Sequence, residues 1–256
     1  MKILWNSFKI AFSMYSKIPM PYSDWKKENM RYAMGFFPLI GIVTGIGVYL
    51  LSFLFERVSI VQGSLFRAAA LTVLPILITG GIHMDGFLDV SDAMSSYQER
   101  ERRLEILKDS HAGAFAIICG LCYLILYFGS VSVITTEMFP VVGIGFVLVR
   151  ANSGLSIVTF KMAKNTGLAA SFSDAAQKRV IRIWMHVYQT ICVALMLWYD
   201  WIPGICCAGA AFLVFFYYRR LAYKNFGGIN GDLAGWYVQM SELWMMLAAA
   251  ILTIVR

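Results

Sequence analysis

An all-α, polytopic membrane fold is what this sequence predicts, on three observations. Of its 256 residues, 59% are hydrophobic and only 14% are charged. A soluble domain carries about 25% charged residues. The apolar residues also come in runs of about 20, the length a bilayer-crossing helix needs. Finally, Lys and Arg gather in alternate connections between those runs, the pattern of a multi-pass chain with positive loops on one side. The expected architecture is a single transmembrane helical domain over 1–256, with about seven spans and an interfacial helix at 1–21.

The interfacial helix comes first. Lys2, Asn6, Lys9, Ser13, Ser16 and Lys17 fall on one side of a helical wheel, and Leu4, Trp5, Phe8, Ala11, Phe12 and Tyr15 on the other. Such a helix lies along the membrane surface until Pro19 and Pro21 stop it; a short buried helix has the same pattern. No cleavable signal is visible. Seven spans follow, at roughly 32–55, 66–84, 112–134, 138–160, 183–201, 202–218 and 233–254. The fifth and sixth are separated only by "YDWIPG", where Pro203 and Gly204 predict a turn.

Charge orients the chain. Of its 22 Lys and Arg residues, only Arg57, Arg67 and Arg256 fall in the connections assigned to the outside. The other 19 are expected in the cytoplasm, with Arg150 close to or inside the fourth span. The expected N-terminus is inside and the C-terminus outside. Three polar connections share the cytoplasmic side, at about 85–111, 161–182 and 219–232, so one cytoplasmic site can draw on all three. The net charge of +7 is read as loop and lipid contact rather than nucleic-acid binding. The five cysteines, Cys119, Cys122, Cys192, Cys206 and Cys207, lie in apolar runs with no His cluster to complete a zinc site. They are expected to be reduced packing residues.

The densest polar feature is "GGIHMDGFLDVSDAM". Asp85, Asp89 and Asp92 follow i, i+4, i+7 spacing, which puts all three within about 60° of one helical face. Three like charges on one stripe repel; a divalent cation reverses that. Oxygen ligands without Cys or His clusters suit Mg2+ or Mn2+, and Mg2+ usually shares its shell with substrate phosphates. A solvated acidic helix end is the alternative. Gly80, Gly81 and Gly86 suit a packed turn. His83 can hydrogen-bond a substrate or cap the helix. Arg100, Arg102, Arg103 and Lys108 can anchor phosphate or simply face solvent. Asp232 follows "GGING" at the opening of the last helix, where backbone N–H groups can hold an anion. Glu242 lies deeper in that helix, where an acid costs about 2.5–3.5 kcal/mol. It is therefore either a functional group or the partner of a neighbouring helix. Arg150, in "VLVRANSG", raises the same choice.

Together, "TGGIHMDGFLDVSDAM", "RRLEILKDSHAGAF" and "GGINGDLAG…SELWMML", with "IPMP" and "FFPLIGIVTGIG", resemble the adenosylcobinamide-GDP ribazoletransferase (cobalamin synthase) family across essentially the whole chain. The resemblance implies a Mg2+-dependent transferase of cobalamin biosynthesis in the bacterial cytoplasmic (inner) membrane. Its expected partners are adenosylcobinamide-GDP, α-ribazole or α-ribazole 5′-phosphate, and the lipid bilayer, with an oligomer left open. It implies metal roles for Asp85, Asp89 and Asp92, and catalytic roles for Asp109, Asp232 and Glu242. Substrate-binding candidates are His83, Arg103, Lys108, Arg150 and Asn230. Where the family often has Gly, Arg and Thr, this chain has Ala93, His111 and Asn230.

Two other readings are weighed. A CDP-alcohol phosphotransferase shares the metal chemistry, but "DGFLDVSD" lacks the Ala-Arg of that pattern. A transporter using intramembrane Asp232 and Glu242 predicts paired repeats, and none is seen. The charge pattern predicts the topology: reporters fused after Ser95, Asp174 and Lys224 should read as cytoplasmic, and those near Glu137 and Arg256 as external. A cytoplasmic reading at Arg256 would remove one span.

Overall fold

The computed structural model describes residues 1–60, 62–109 and 111–255. Arg256, one of the three external charges, and Ser110, within the "KDS" segment, lie outside the described residues. Among the described residues the fold is all-α, with one isolated backbone bridge, Met162 to Ile229. In chain order the helices are α1 (Lys2–Tyr15), α2 (Lys27–Met30), α3 (Ala33–Arg57), α4 (Leu65–Thr79), α5 (Ile82–Ser95) and α6 (Arg100–Ile106). Then come α7 (Ala114–Val133), α8 (Phe139–Thr159), α9 (Leu168–Ala175), α10 (Lys178–Tyr199), α11 (Trp201–Phe226) and α12 (Gly231–Val255).

Six of these are long and apolar enough to cross a membrane: α3, α7, α8 with the short turn before it, α10, α11 and α12. The seventh expected span, 66–84, is not one helix. It breaks at Gly80 and Gly81, both left-handed at φ +68° and +78°, and α5 leaves α4 at 96°. Both glycine N–H groups close on the carbonyl of Ile76, the arrangement that ends a helix when residues without a Cβ follow it. The turn that the glycines suggested is real, but it divides the apolar run instead of ending it.

α8 forms the centre of the bundle and is buried along nearly its whole length, against α3, α10 and α12. Its backbone touches α3 at Gly41 and Gly45, where an added Cβ would lie 2.6 Å from the Phe146 carbonyl oxygen and 2.7 Å from Gly143. Small residues four apart permit this contact, and in lipid such close packing drives helix association. The expected corner between α10 and α11 falls at Asp200, whose side chain accepts the Ile202 N–H at 3.3 Å. Pro203 then sits in the first turn of α11, where its missing N–H is least costly.

α1 forms as expected, but part of its polar side is covered, while Lys2, Ser13 and Lys17 stay exposed. Asn6 donates to Asn29 at 2.9 Å, Ser7 to the Asn29 carbonyl at 2.6 Å, and Lys9 to the Tyr22 carbonyl at 3.1 Å. The Lys17 N–H donates to the Ile78 carbonyl at 2.8 Å, which ties the end of this segment to the α4–α5 break. Arg67 is also not the loop charge expected of it. It is 1% exposed and donates to the Ile134 carbonyl and to Ser52, capping the end of α7. The five cysteines are unbridged.

The break makes a stability prediction. Gly80→Ala and Gly81→Ala each force a Cβ into left-handed backbone, at about 1–2 kcal/mol. Both variants should melt earlier than the parent in detergent, measured by circular dichroism. Unchanged melting would mean that the break is not held as described.

Candidate functional site

The site is built where α5 meets the start of α12. A Cβ on Gly86 would lie 2.7 Å from the carbonyl oxygen of Asp232, so the two backbones touch there. Asn230 caps α12: its Oδ1 accepts the Leu233 N–H at 2.9 Å, and its Nδ2 donates to Asp232 Oδ2 at 2.9 Å. That satisfies one open N–H of the first turn and points the Asp232 carboxylate. The contact gathers negative charge. Asp85, Asp232 and Asp92 all act electrostatically on Asp89, and Asp85 acts on Asp232. Asp85 is exposed; Asp89 and Asp92 are half-buried.

A cavity of about 410 Å³ opens beside this cluster. Asp85, Asp232, His83, Asn230, Lys108 and Lys164 line it, from four segments of the chain. His83 is 3% exposed, and its Nε2 has no hydrogen-bond partner among the described residues. Its ring packs beside the Tyr15–Phe37 pair, with centroids 6.0 and 5.6 Å away. A buried polar atom left open is costly, and at a cavity wall a ligand can satisfy it.

The other expected site residues lie elsewhere. Asp89 and Asp92 continue the stripe but do not line the cavity, and Asp92 lies against Gly113 at the start of α7. Asp109 is exposed on its connection, where its Oδ1 accepts the His111 N–H at 3.0 Å and meets the ring Nδ1 at 2.8 Å. The backbone N–H of His111, followed by its ring, holds the Asp109 carboxyl below the usual carboxylate range. Arg103 reaches across to α11 and donates to Asn225 at 2.6 Å. Arg150 and Glu242 form an ion pair at 2.8 Å, 1% and 2% exposed, and Arg150 also donates to the Phe146 carbonyl at 3.0 Å. Glu242 is thus the partner of a neighbouring helix. The pair joins α8 to α12 about 15 Å along the helix from Asp232.

Lys164 was not singled out in the sequence. In "KMAKNTG" it is one cation in a positive loop, and only folding sets it beside Lys108. Desolvation, and next the charge of Lys108, hold its ammonium below the ordinary lysine range.

Among the described residues, no three His, Cys, Asp or Glu side chains converge on one point that could hold a metal ion. A site made by protein alone is not built. Mg2+ more often takes one or two carboxylates and completes its shell with phosphate oxygens. Asp85 with Asp89 fits that donor set for an ion shared with a phosphorylated ligand.

A family model described as cobalamin-5-phosphate synthase matches residues 7–250. A relative from Lachnoclostridium phytofermentans, named adenosylcobinamide-GDP ribazoletransferase, is 51% identical over 96% of this chain and 94% of its own length. Relatives of the same name from Geobacillus sp. (strain WCH70) and Clostridium perfringens (strain SM101 / Type A) are 32% and 29% identical, over 96% and 98% of this chain and 95% and 100% of their own. No solved structure matches the chain.

The buried pair separates structural from catalytic roles. Arg150→Met and Glu242→Leu should each cost about 3–5 kcal/mol, because each strands a buried charge. The double variant should recover much of that loss in thermal unfolding. Single variants that melt normally yet lose turnover would instead assign the pair to the chemistry.

Proposed function

The chain belongs to the cobalamin-5-phosphate synthase family, and on that premise we propose that it is a Mg2+-dependent phosphotransferase joining adenosylcobinamide-GDP to α-ribazole or α-ribazole 5′-phosphate. GMP is released, and adenosylcobalamin or its 5′-phosphate is formed. One observation carries the reading: Asp85, at the head of the aspartate stripe of α5, and the "NGD" opening of α12, on both of which the family resemblance rests, meet at one cavity.

The new bond joins the ribazole 3′ hydroxyl oxygen to the phosphorus on the cobinamide side of the diphosphate. The bond from that phosphorus to the bridging oxygen breaks, and its electron pair leaves with GMP. The hydroxyl proton needs an acceptor. Of the three acids considered, Glu242 is engaged by Arg150 and Asp109 by His111, while Asp232 lines the cavity with its carboxylate oriented by Asn230. Asp232 is the best-supported general base. His83 offers an open ring nitrogen to a substrate hydroxyl or amide, and Lys108 offers charge to phosphate. Asp85 and Asp89 would hold the cation, with Asp92 behind them on the stripe. When bound, Mg2+ supplies positive charge to offset what builds on the leaving phosphate. Direct transfer is the reading favoured, since among the described residues no Ser, Cys or His sits in an activated-nucleophile arrangement.

Sidedness follows from charge. The cavity draws on the connections rich in Lys and Arg, which supports a cytoplasmic site on the bacterial inner membrane. Soluble, charged substrates can reach it there.

Purified protein supplied with both substrates and Mg2+ should release GMP, stop in EDTA, and resume with Mg2+ or Mn2+. Asp232→Asn should lose about 100-fold or more in turnover while melting normally. Asp85→Asn should be more severe than Asp92→Asn, which stands away from the cavity. Full turnover in EDTA would sink the metal dependence, and near-normal turnover of Asp232→Asn would remove its role as base.

A further inference from the structure

A diphosphate entering this cavity meets Asp85 and Asp232, both repulsive to it. Something cationic must offset them. Three of the arginines that the sequence offered are engaged elsewhere: Arg150 by Glu242, Arg103 by Asn225, and Arg102 by Glu105 at 2.8 Å; Arg100 lies against Gly227 and does not line the cavity. The Lys and Arg side chains that line the cavity are Lys108 and Lys164. They arrive on separate connections, one after α6 and one between α8 and α9.

The second connection is not loosely placed. The Ala163 N–H donates to the Ile229 carbonyl at 2.7 Å, the Ile229 N–H donates to the Lys161 carbonyl at 2.8 Å, and the Lys161 N–H donates to the Tyr223 hydroxyl at 2.8 Å. This bridge ties the backbone beside Lys164 to the turn that ends in Asn230 and opens α12. Lys164 is therefore held in register with the Asp232 carboxylate and with the positive end of a 25-residue helix. His83, nine-tenths buried and with Nε2 without a partner among the described residues, also lines this cavity. Two ammonium groups so close repel, and an anion between them turns that repulsion into attraction.

We infer that Lys108 and Lys164 form a two-point clamp for the diphosphate of the nucleotide-linked substrate, with Lys164 as the contact that distinguishes this substrate from the ribazole alcohol. The inference rests on the function proposed above for the nature of the ligand. Lys164 is a binding residue here and takes no part in the proton transfer. Lysine suits the role as a flexible point charge, whereas a fixed guanidinium fork would demand one phosphate orientation.

The test uses purified full-length protein in detergent and inorganic pyrophosphate as the probe, with binding measured by calorimetry at fixed Mg2+. Lys164→Gln should weaken pyrophosphate binding about tenfold or more, the loss expected for one charged hydrogen bond. Lys164→Arg, which keeps the charge but fixes its geometry, should lose less than Lys164→Gln. Binding of α-ribazole and the melting temperature should be unchanged in both. Three results overturn the clamp: parent protein that does not bind pyrophosphate, Lys164→Gln protein that binds it normally, or a Lys164→Gln variant that loses α-ribazole equally. A protein that holds pyrophosphate through Lys164 yet does not turn over adenosylcobinamide-GDP would overturn the proposed reaction and leave the clamp standing.

Discussion

The site depends on one steric contact: at Gly86, α5 and α12 touch backbone to backbone. Any side chain there would push α12 away and separate Asp85 from Asp232. The contact in turn requires α5 to leave α4 at a steep angle, which the paired left-handed glycines allow. Within a bilayer, a break of this kind is tolerated only where protein or a wet cavity surrounds the freed backbone groups. Here the Lys17 N–H closes on the Ile78 carbonyl, and the cavity lies just beyond.

Charge is sorted by depth. The carboxylates of α5 and Asp232 sit at the cavity end, where water, lysines and a cation can reach them. Deeper in the bundle, the acid Glu242 is neutralised by Arg150, with both desolvated. A buried pair adds little net stability over apolar packing, but breaking it is severe. Its effect here is to fix the rotation of α12 against α8, and so the face on which Asp232 emerges. Arg67, at the end of α7, is the opposite case. It has backbone and hydroxyl acceptors in place of a carboxylate, which lets a cation stay buried as a helix cap.

Much of this chain can be read residue by residue. Most long apolar helices, the N-terminal helix, the common face of Asp85, Asp89 and Asp92, and the turn before Asp232 follow from local rules: bilayer thickness, a period of 3.6, and the backbone freedom of glycine. The charge asymmetry is equally local, since it needs only the order of loops. Partner choice is not local. Nothing in "VLVRANSG" or "SELWMML" says that Arg150 meets Glu242, and nothing in "RRLEILKD" separates Lys108, which reaches the cavity, from Arg103, which reaches Asn225. Lys164 carried no signal beyond its charge. The direction of α5 was also hidden, because an apolar run reads the same whether it continues straight or turns at 96°. Those choices come from packing between elements far apart in the chain, where the close approach of two backbones, rather than the preference of either segment, selects which side chains meet.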